Sequence, residues 1–449
     1  MFAQHRLQLI VAEFSNENSL QFTIFVQRWN PEALRFVDFA APVCTACSCY
    51  ATKPIAKPLL AIKRNSLMKI INFLILFIIS SITYGQEIDT LTFYSKAFKE
   101  ERTVYIHKPE FYKYKSESVK LPVIYLLDGQ HEWFVNPVLS DIQYLQYTHE
   151  IPNAIVVVIP HKNRNKECGI IDLKTELPLD AFITKELDKE LLKYNPSDIK
   201  IIIGHSFSAS FSLYSYYNHP DYYTSVIANT PLDEMELLIN SFQENNKINK
   251  GKISISIGGI ANNKDYYHRK KHNQLKEKYP DFFNTVSVFE ANYSAHNAVP
   301  IVSTPTLITR IFESFSDRYS DIAKVNDEYK LVNIPETPEK ELGKIMLASK
   351  IGLSFYAPEI AELNGIASRY WNSEFDELAI EVYKLGIEYY PNYYEFYLSL
   401  FELTVNKDKV ESREYLEKAE SLLNRIESNW VEKKEIIEEI KAEKIKNGW

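Results

Sequence analysis

The stretch IKIIIGHSFSASFSLYSYY, residues 199–217, sets Ser206 between His205 and Phe207, where an apolar run meets an apolar, aromatic segment. A serine hydroxyl is a poor nucleophile at neutral pH. It needs a neighbouring imidazole, itself oriented by a carboxylate. Read as a G-x-S-x-G nucleophile turn, Gly204-His205-Ser206-Phe207-Ser208 departs at its last position, where serine replaces glycine. Serine is still small and Ala209 follows it, so a strand and a helix could approach closely there. The chemistry implied is acyl transfer through a covalent ester. The plain alternative is one hydrogen-bonded serine in a strand-to-helix loop.

On such a turn the chain order of a triad is serine, acid, histidine. His296, in FEANYSAHNAVPIVSTPTLITRIF, follows the last predicted strand and precedes a helix, where the base belongs. The other histidines fit less well. His205 is inside the turn, His219 ends the following helix, and His268 and His272 lie among Lys and Arg on an exposed helix. Asp265 is the first carboxylate after the strand ISISIGG and would hold the imidazole in its working tautomer. It reads equally well as an ordinary residue opening a helix. Glu290 is nearer His296 in sequence but sits at the end of a strand. A developing oxyanion needs donors. One is the backbone N–H of Phe207; the other is the N–H of Gln130, in the loop after VIYLLDG, where Gly129 permits a tight turn. Asp128-Gly129 is also what an ordinary turn looks like.

Positioning these residues takes a particular alternation of elements. From about residue 90 to 315, short apolar runs (TVYIHKP, LPVIYLLDG, NAIVVVIP, IKIIIG, TSVIANTP, KISISIGG, NTVSVFEA) alternate with helical segments. That pattern predicts an α/β fold with a mostly parallel sheet covered on both faces. After about residue 340 the strands stop. LNGIASRYWNSEFDELAIEVYKLGIEYYPN resembles a tetratricopeptide repeat (TPR), with Leu363, Ile366, Ala367 and Tyr370 on one helix and Ala379, Tyr383 and Gly386 on the next. A plain helical hairpin would show the same spacing.

The whole chain has 449 residues, a formal charge of −8, 45% apolar residues and four cysteines. No block of Lys and Arg forms a nucleic-acid footprint. MKIINFLILFIISSITYGQ, from Met68, has the charge, apolar run and small-residue end of a secretory signal. Residues 1–67 are then expected to be a non-native, disordered leader, 68–85 the signal, 86–325 a hydrolase domain and 340–449 a TPR-like helical domain. Cys44, Cys47 and Cys49 fall in the leader and lack a second ligand pair at zinc spacing, which leaves Cys168 alone in the mature part. The signal implies a periplasmic or secreted protein with no membrane span after cleavage.

EERTVYIHKPEFY, LPVIYLLDGQHEWF, AIVVVIPHKNR, GHSFSASFSLY and YSAHNAV stand in the order and spacing of the putative-esterase (esterase D-like) family of α/β hydrolases, which this chain resembles over about residues 90 to 315. The resemblance implies an α/β-hydrolase fold, Ser206 as nucleophile, His296 as base and an oxyanion loop at Asp128 to Gln130. The family's acid normally follows a strand-end glycine, where Asn262 and Asn263 stand here. The family's arginine after the "IP" strand falls on Arg164; Asp128, Gly129 and Arg164 are thus the expected substrate-binding positions. The expected function is a secreted serine esterase acting on a small-molecule or glycan ester, with no metal or organic cofactor. Its helical tail would dock a protein or a second copy. An acyltransferase using the same residues, and an inactive hydrolase fold that binds through its tail, are the competing expectations.

Overall fold

The computed structural model describes residues 8–16, 19–27, 88–245, 252–259, 265–426 and 431–449. The chain divides into two compact units, Met1–Gly85 and Gln86–Trp449. In the first, β1 (Gln8–Asn16) and β2 (Ser19–Gln27) form an antiparallel hairpin with Gln8 opposite Gln27. The expectation of a leader without regular structure did not include this hairpin. The expected signal, 68–85, and Cys44, Cys47 and Cys49 lie outside the described residues.

The second unit is built on eight strands: β3 (Ile88–Ser95), β4 (Glu100–His107), β5 (Leu121–Leu126), β6 (Ile155–Val158), β7 (Pro196–His205), β8 (Ser225–Asn229), β9 (Lys252–Gly258) and β10 (Ser287–Ala291). They lie in the order β10-β9-β8-β7-β5-β6-β4-β3. β3 and β4 pair antiparallel, as do β4 and β6; every other pairing is parallel. The central strands β5 and β6 read as unbroken apolar runs because both faces are covered. Val123 and Tyr125 of β5 join one core with Val157, Ile202 and Ile255. Ile124 and Leu126 join the other with Val158, Ile203 and Ile227, under α1 (Glu132–Tyr147) and α5 (Val299–Ile311). Alternation of side chains across each strand divides the two cores.

The other long helices of the sheet region are α2 (Phe207–Asn218), α3 (Met235–Glu244) and α4 (Tyr266–Lys278). The C-terminal region is helical: α6 (Pro338–Ala348), α7 (Ile360–Asn372), α8 (Asp376–Tyr389), α9 (Tyr394–Thr404), α10 (Lys409–Arg425) and α11 (Val431–Asn447). Ala367 and Ala379 are fully buried where α7 meets α8, and a methyl group added at Gly386 would sit 2.8 Å from the Phe396 ring. Small residues therefore set how closely these helices pack. The tail shares the core of the sheet region rather than standing apart from it: Leu363, Ile366 and Tyr370 pack in the same apolar cluster as Val123 and Ile202. Ser116 donates its N–H to the Tyr389 carbonyl at 2.7 Å, Tyr114 and Phe111 pack on Tyr393, and Arg318 forks onto Glu362. Among the described residues no helix is long and apolar enough to cross a membrane.

Candidate active site

Ser206 occupies the turn between β7 and α2 with φ 58° and ψ −116°, a conformation that costs a non-glycine residue strain. The backbone is held there from both sides. Ser206 N–H donates to the Asn229 carbonyl at 2.8 Å, and Asn229 is buried, accepting from Ser256 and Ser303 at 2.7 and 2.8 Å. Gly204 is required by the crossing of strand and helix: a Cβ there would lie 2.4 Å from the Ser208 carbonyl oxygen. Ser206 Oγ makes no hydrogen bond among the described residues and the residue is partly exposed, so the hydroxyl is available. At the start of α2 the Phe207 N–H has no helical acceptor. The Gln130 N–H is likewise unengaged, while its side chain accepts from His161 N–H at 2.8 Å and donates to Asp128 at 3.3 Å.

His296 lies in the loop after β10, and the fold brings that loop to the turn. Gly259 N–H donates to the Ser294 carbonyl at 2.9 Å, tying the loop to the end of β9. The His296 carbonyl lies 3.2 Å from His205 Nε2, and the two rings sit 4.6 Å apart. His296 thus packs against the residue immediately before Ser206. Its Nδ1 is 3.2 Å from Asp265 Oδ1. Asp265 precedes α4 but spends no side-chain hydrogen bond on capping it. Its Oδ2 accepts from Gly258 N–H at 2.9 Å, and the residue is buried. Burial alone would raise its pKa; hydrogen bonds and charge from His268 and His296 outweigh that and hold the carboxyl well below its ordinary range. His205 is pushed down to about 3 by burial and by the neighbouring His296 imidazole. It therefore stays neutral above mildly acidic pH. Glu290 is occupied with Arg269 and Lys276.

Two expectations are corrected. Asp128, expected against substrate, is buried beneath the turn with both oxygens committed. Arg164 Nε donates to Oδ1 at 2.5 Å and Nη2 to Oδ2 at 3.0 Å, and the Ser208 hydroxyl donates to Oδ2. Arg164 Nη2 also reaches the His205 carbonyl at 2.5 Å. The pair braces the turn, and the Arg164 guanidinium keeps the Asp128 carboxyl ionised despite its burial. Gly129 serves by having no side chain, since a Cβ would meet Pro160 N at 2.7 Å. Ser208, the departure from glycine, is what the brace holds: its Oγ also accepts from His205 N–H at 2.9 Å. The second correction is His268. It is not on a solvated face; its Nδ1 lies 2.9 Å from Asp265 Oδ1 and its ring stacks on His296 at 4.0 Å. The i, i+3 spacing of Asp265 and His268 at a helix start was the available signal.

A mostly parallel sheet in this strand order, with a strained serine turn between its fifth strand and a helix, defines an α/β hydrolase. Residues 95–273 match the family described as Putative esterase, a span that includes Ser206 and Asp265 and ends before His296. The match supports an esterase-type hydrolase. No curated protein sequence matches the chain. Among solved structures, an IroE-like serine hydrolase from Shewanella oneidensis is 18% identical, with a TM-score of 0.49, covering 67% of this chain and 98% of that one. An uncharacterised protein from Capnocytophaga ochracea is 17% identical, with a TM-score of 0.47, covering 79% and 100%. The enterobactin esterase of Shigella flexneri is 15% identical, with a TM-score of 0.40, covering 50% and 59%.

Proposed function

We propose that this chain is a serine carboxylic-ester hydrolase. Ser206 attacks the ester carbonyl, His296 takes its proton and returns it to the leaving alcohol, and Asp265 holds the imidazole and stabilises its charged form. The free N–H groups of Phe207 and Gln130 receive the oxyanion. Water then hydrolyses the acyl-enzyme by the reverse route. The observation that carries this reading is the link from Asp265 Oδ1 to His296 Nδ1, on a loop packed against the residue preceding the strained serine. Trp133, nearly half exposed, stands edge-on to the His205 ring and offers an apolar platform for one side of the ester. The secretory-type segment from Met68 supports export from the cytoplasm. The paired helices of the tail are then a docking surface.

Labelling with a fluorophosphonate tests the nucleophile. The wild type is expected to label, Ser206→Ala to lose the label, and Ser210→Ala to keep it. Absence of label on folded wild type would overturn the assignment.

A further inference from the structure

Asp265, His268 and His296 each offer a ligand atom, and the three atoms lie within 4.8 Å of one another. Both imidazoles present Nδ1 to the same carboxylate oxygen, at 2.9 and 3.2 Å. Donors on a tetrahedral zinc, each about 2.0–2.2 Å from the ion, lie roughly 3.3 Å apart, so the two distances already match two edges of such a site. The carboxylate is oriented by Gly258 N–H on its other oxygen, which leaves Oδ1 free to turn from two N–H donors to one cation. Each histidine keeps about a fifth of its side chain exposed, so an ion can arrive from solvent. The Arg269 guanidinium, one turn along α4 from Asp265, is engaged with Glu290, Asn292 and the Gly258 carbonyl.

We propose that Asp265, His268 and His296 form a site for a borderline transition cation such as Zn²⁺, and that filling it switches the hydrolase off. Two imidazoles and one carboxylate favour zinc and its neighbours over Mg²⁺ or Ca²⁺, which prefer oxygen. The cause of inhibition is the tautomer. A metal takes the Nδ1 lone pair, so the ring proton leaves Nδ1 and one is carried at Nε2 instead. Nε2 is the atom that must accept the serine proton, and it then has no lone pair to do so. No bond to substrate is blocked and nothing is oxidised or reduced. The inhibition rests on His296 being the base; the binding does not.

The test uses the full chain. Calorimetric titration with ZnCl₂ is expected to show one ion per chain, and p-nitrophenyl acetate turnover to fall with the same midpoint and recover with EDTA. Mg²⁺ and Ca²⁺ are expected to do neither. His268→Ala and His268→Gln, the second retaining a donor to Asp265, are each expected to weaken binding and inhibition by at least about tenfold, with each variant's metal-free rate as its reference. No zinc binding by wild type, or unchanged affinity in both variants, overturns the site. Binding without loss of turnover overturns the switch. A wild type that hydrolyses no ester defeats the esterase reading instead, and calorimetry still decides the site.

Discussion

Asp265 Oδ1 carries two imidazoles while Oδ2 takes the Gly258 N–H, so both oxygens of this carboxylate are engaged. Replacing it with asparagine keeps the size and removes the charge. An amide also offers a donor, which invites the wrong tautomer of His296. Asp265→Asn is expected to lower kcat by about 10³–10⁴-fold with little change in KM, a loss typical of triad acids. Steady-state kinetics on an ester, with circular dichroism to confirm the fold, checks this. A loss under tenfold would remove Asp265 from the triad. Ser208 shows how a departure from a motif is accommodated. Glycine at this position would leave room for close packing, whereas serine fills the space and donates a hydrogen bond to Asp128. Asp128 in turn needs Arg164 to be affordable as a buried charge.

At the scale of elements, a buried polar network ties β4, next to the sheet's edge, to the turn. Arg102 on β4 forks onto Glu167 at 2.9 and 2.8 Å, Glu167 meets His161 at 3.1 Å, and His161 lies 3.7 Å from Asp128. Burial would raise the Glu167 carboxyl, but the His161 and Arg102 contacts and backbone N–H groups bring it down to about 2. A folded pKa below the unfolded one stabilises above the unfolded value and loses that contribution as pH falls. Here the window runs from about 4.5 down to about 2. Urea unfolding of wild type and Glu167→Gln is therefore expected to differ clearly at pH 7 and to converge toward pH 2. A gap that does not narrow with acidity would dismiss this account.

For the whole molecule, the tail matters most. The expected boundary between a domain at 86–325 and another at 340–449 is crossed by shared packing: Ser116 donates its N–H to the Tyr389 carbonyl, and Tyr390 packs in one apolar cluster with residues of the sheet region. Glu359 accepts the Asn153 N–H at 2.7 Å and pairs with His149 at 3.0 Å. Cutting the chain after residue 335 would expose this apolar surface and strand the partners of Glu359 and Glu362. Residues 86–335 alone are expected to be aggregated or molten, seen as loss of near-ultraviolet dichroism and a non-monomeric elution volume. A monodisperse fragment with a sharp thermal transition would show that the tail is a separate body.

Local pattern was enough for the elements and for the positions of two residues of the candidate site. The apolar runs marked the strands because a parallel sheet buries both faces, and Gly204-His205-Ser206 marked the turn because only a small residue fits where strand meets helix. His296 was legible from its place after the last strand. Pattern could not decide which carboxylate would reach it, because Asp265 and His296 stand 31 positions apart and the loop between β9 and α4 has no period. Nor could it show that His268 leaves the solvated side of its helix, or that Asp128 and Arg164 turn inward. Those outcomes depend on which side chains meet across β5, β6, β7 and β9. A sequence specifies such encounters only through the packing of the entire sheet, since each buried charge must find its partner or not be buried at all.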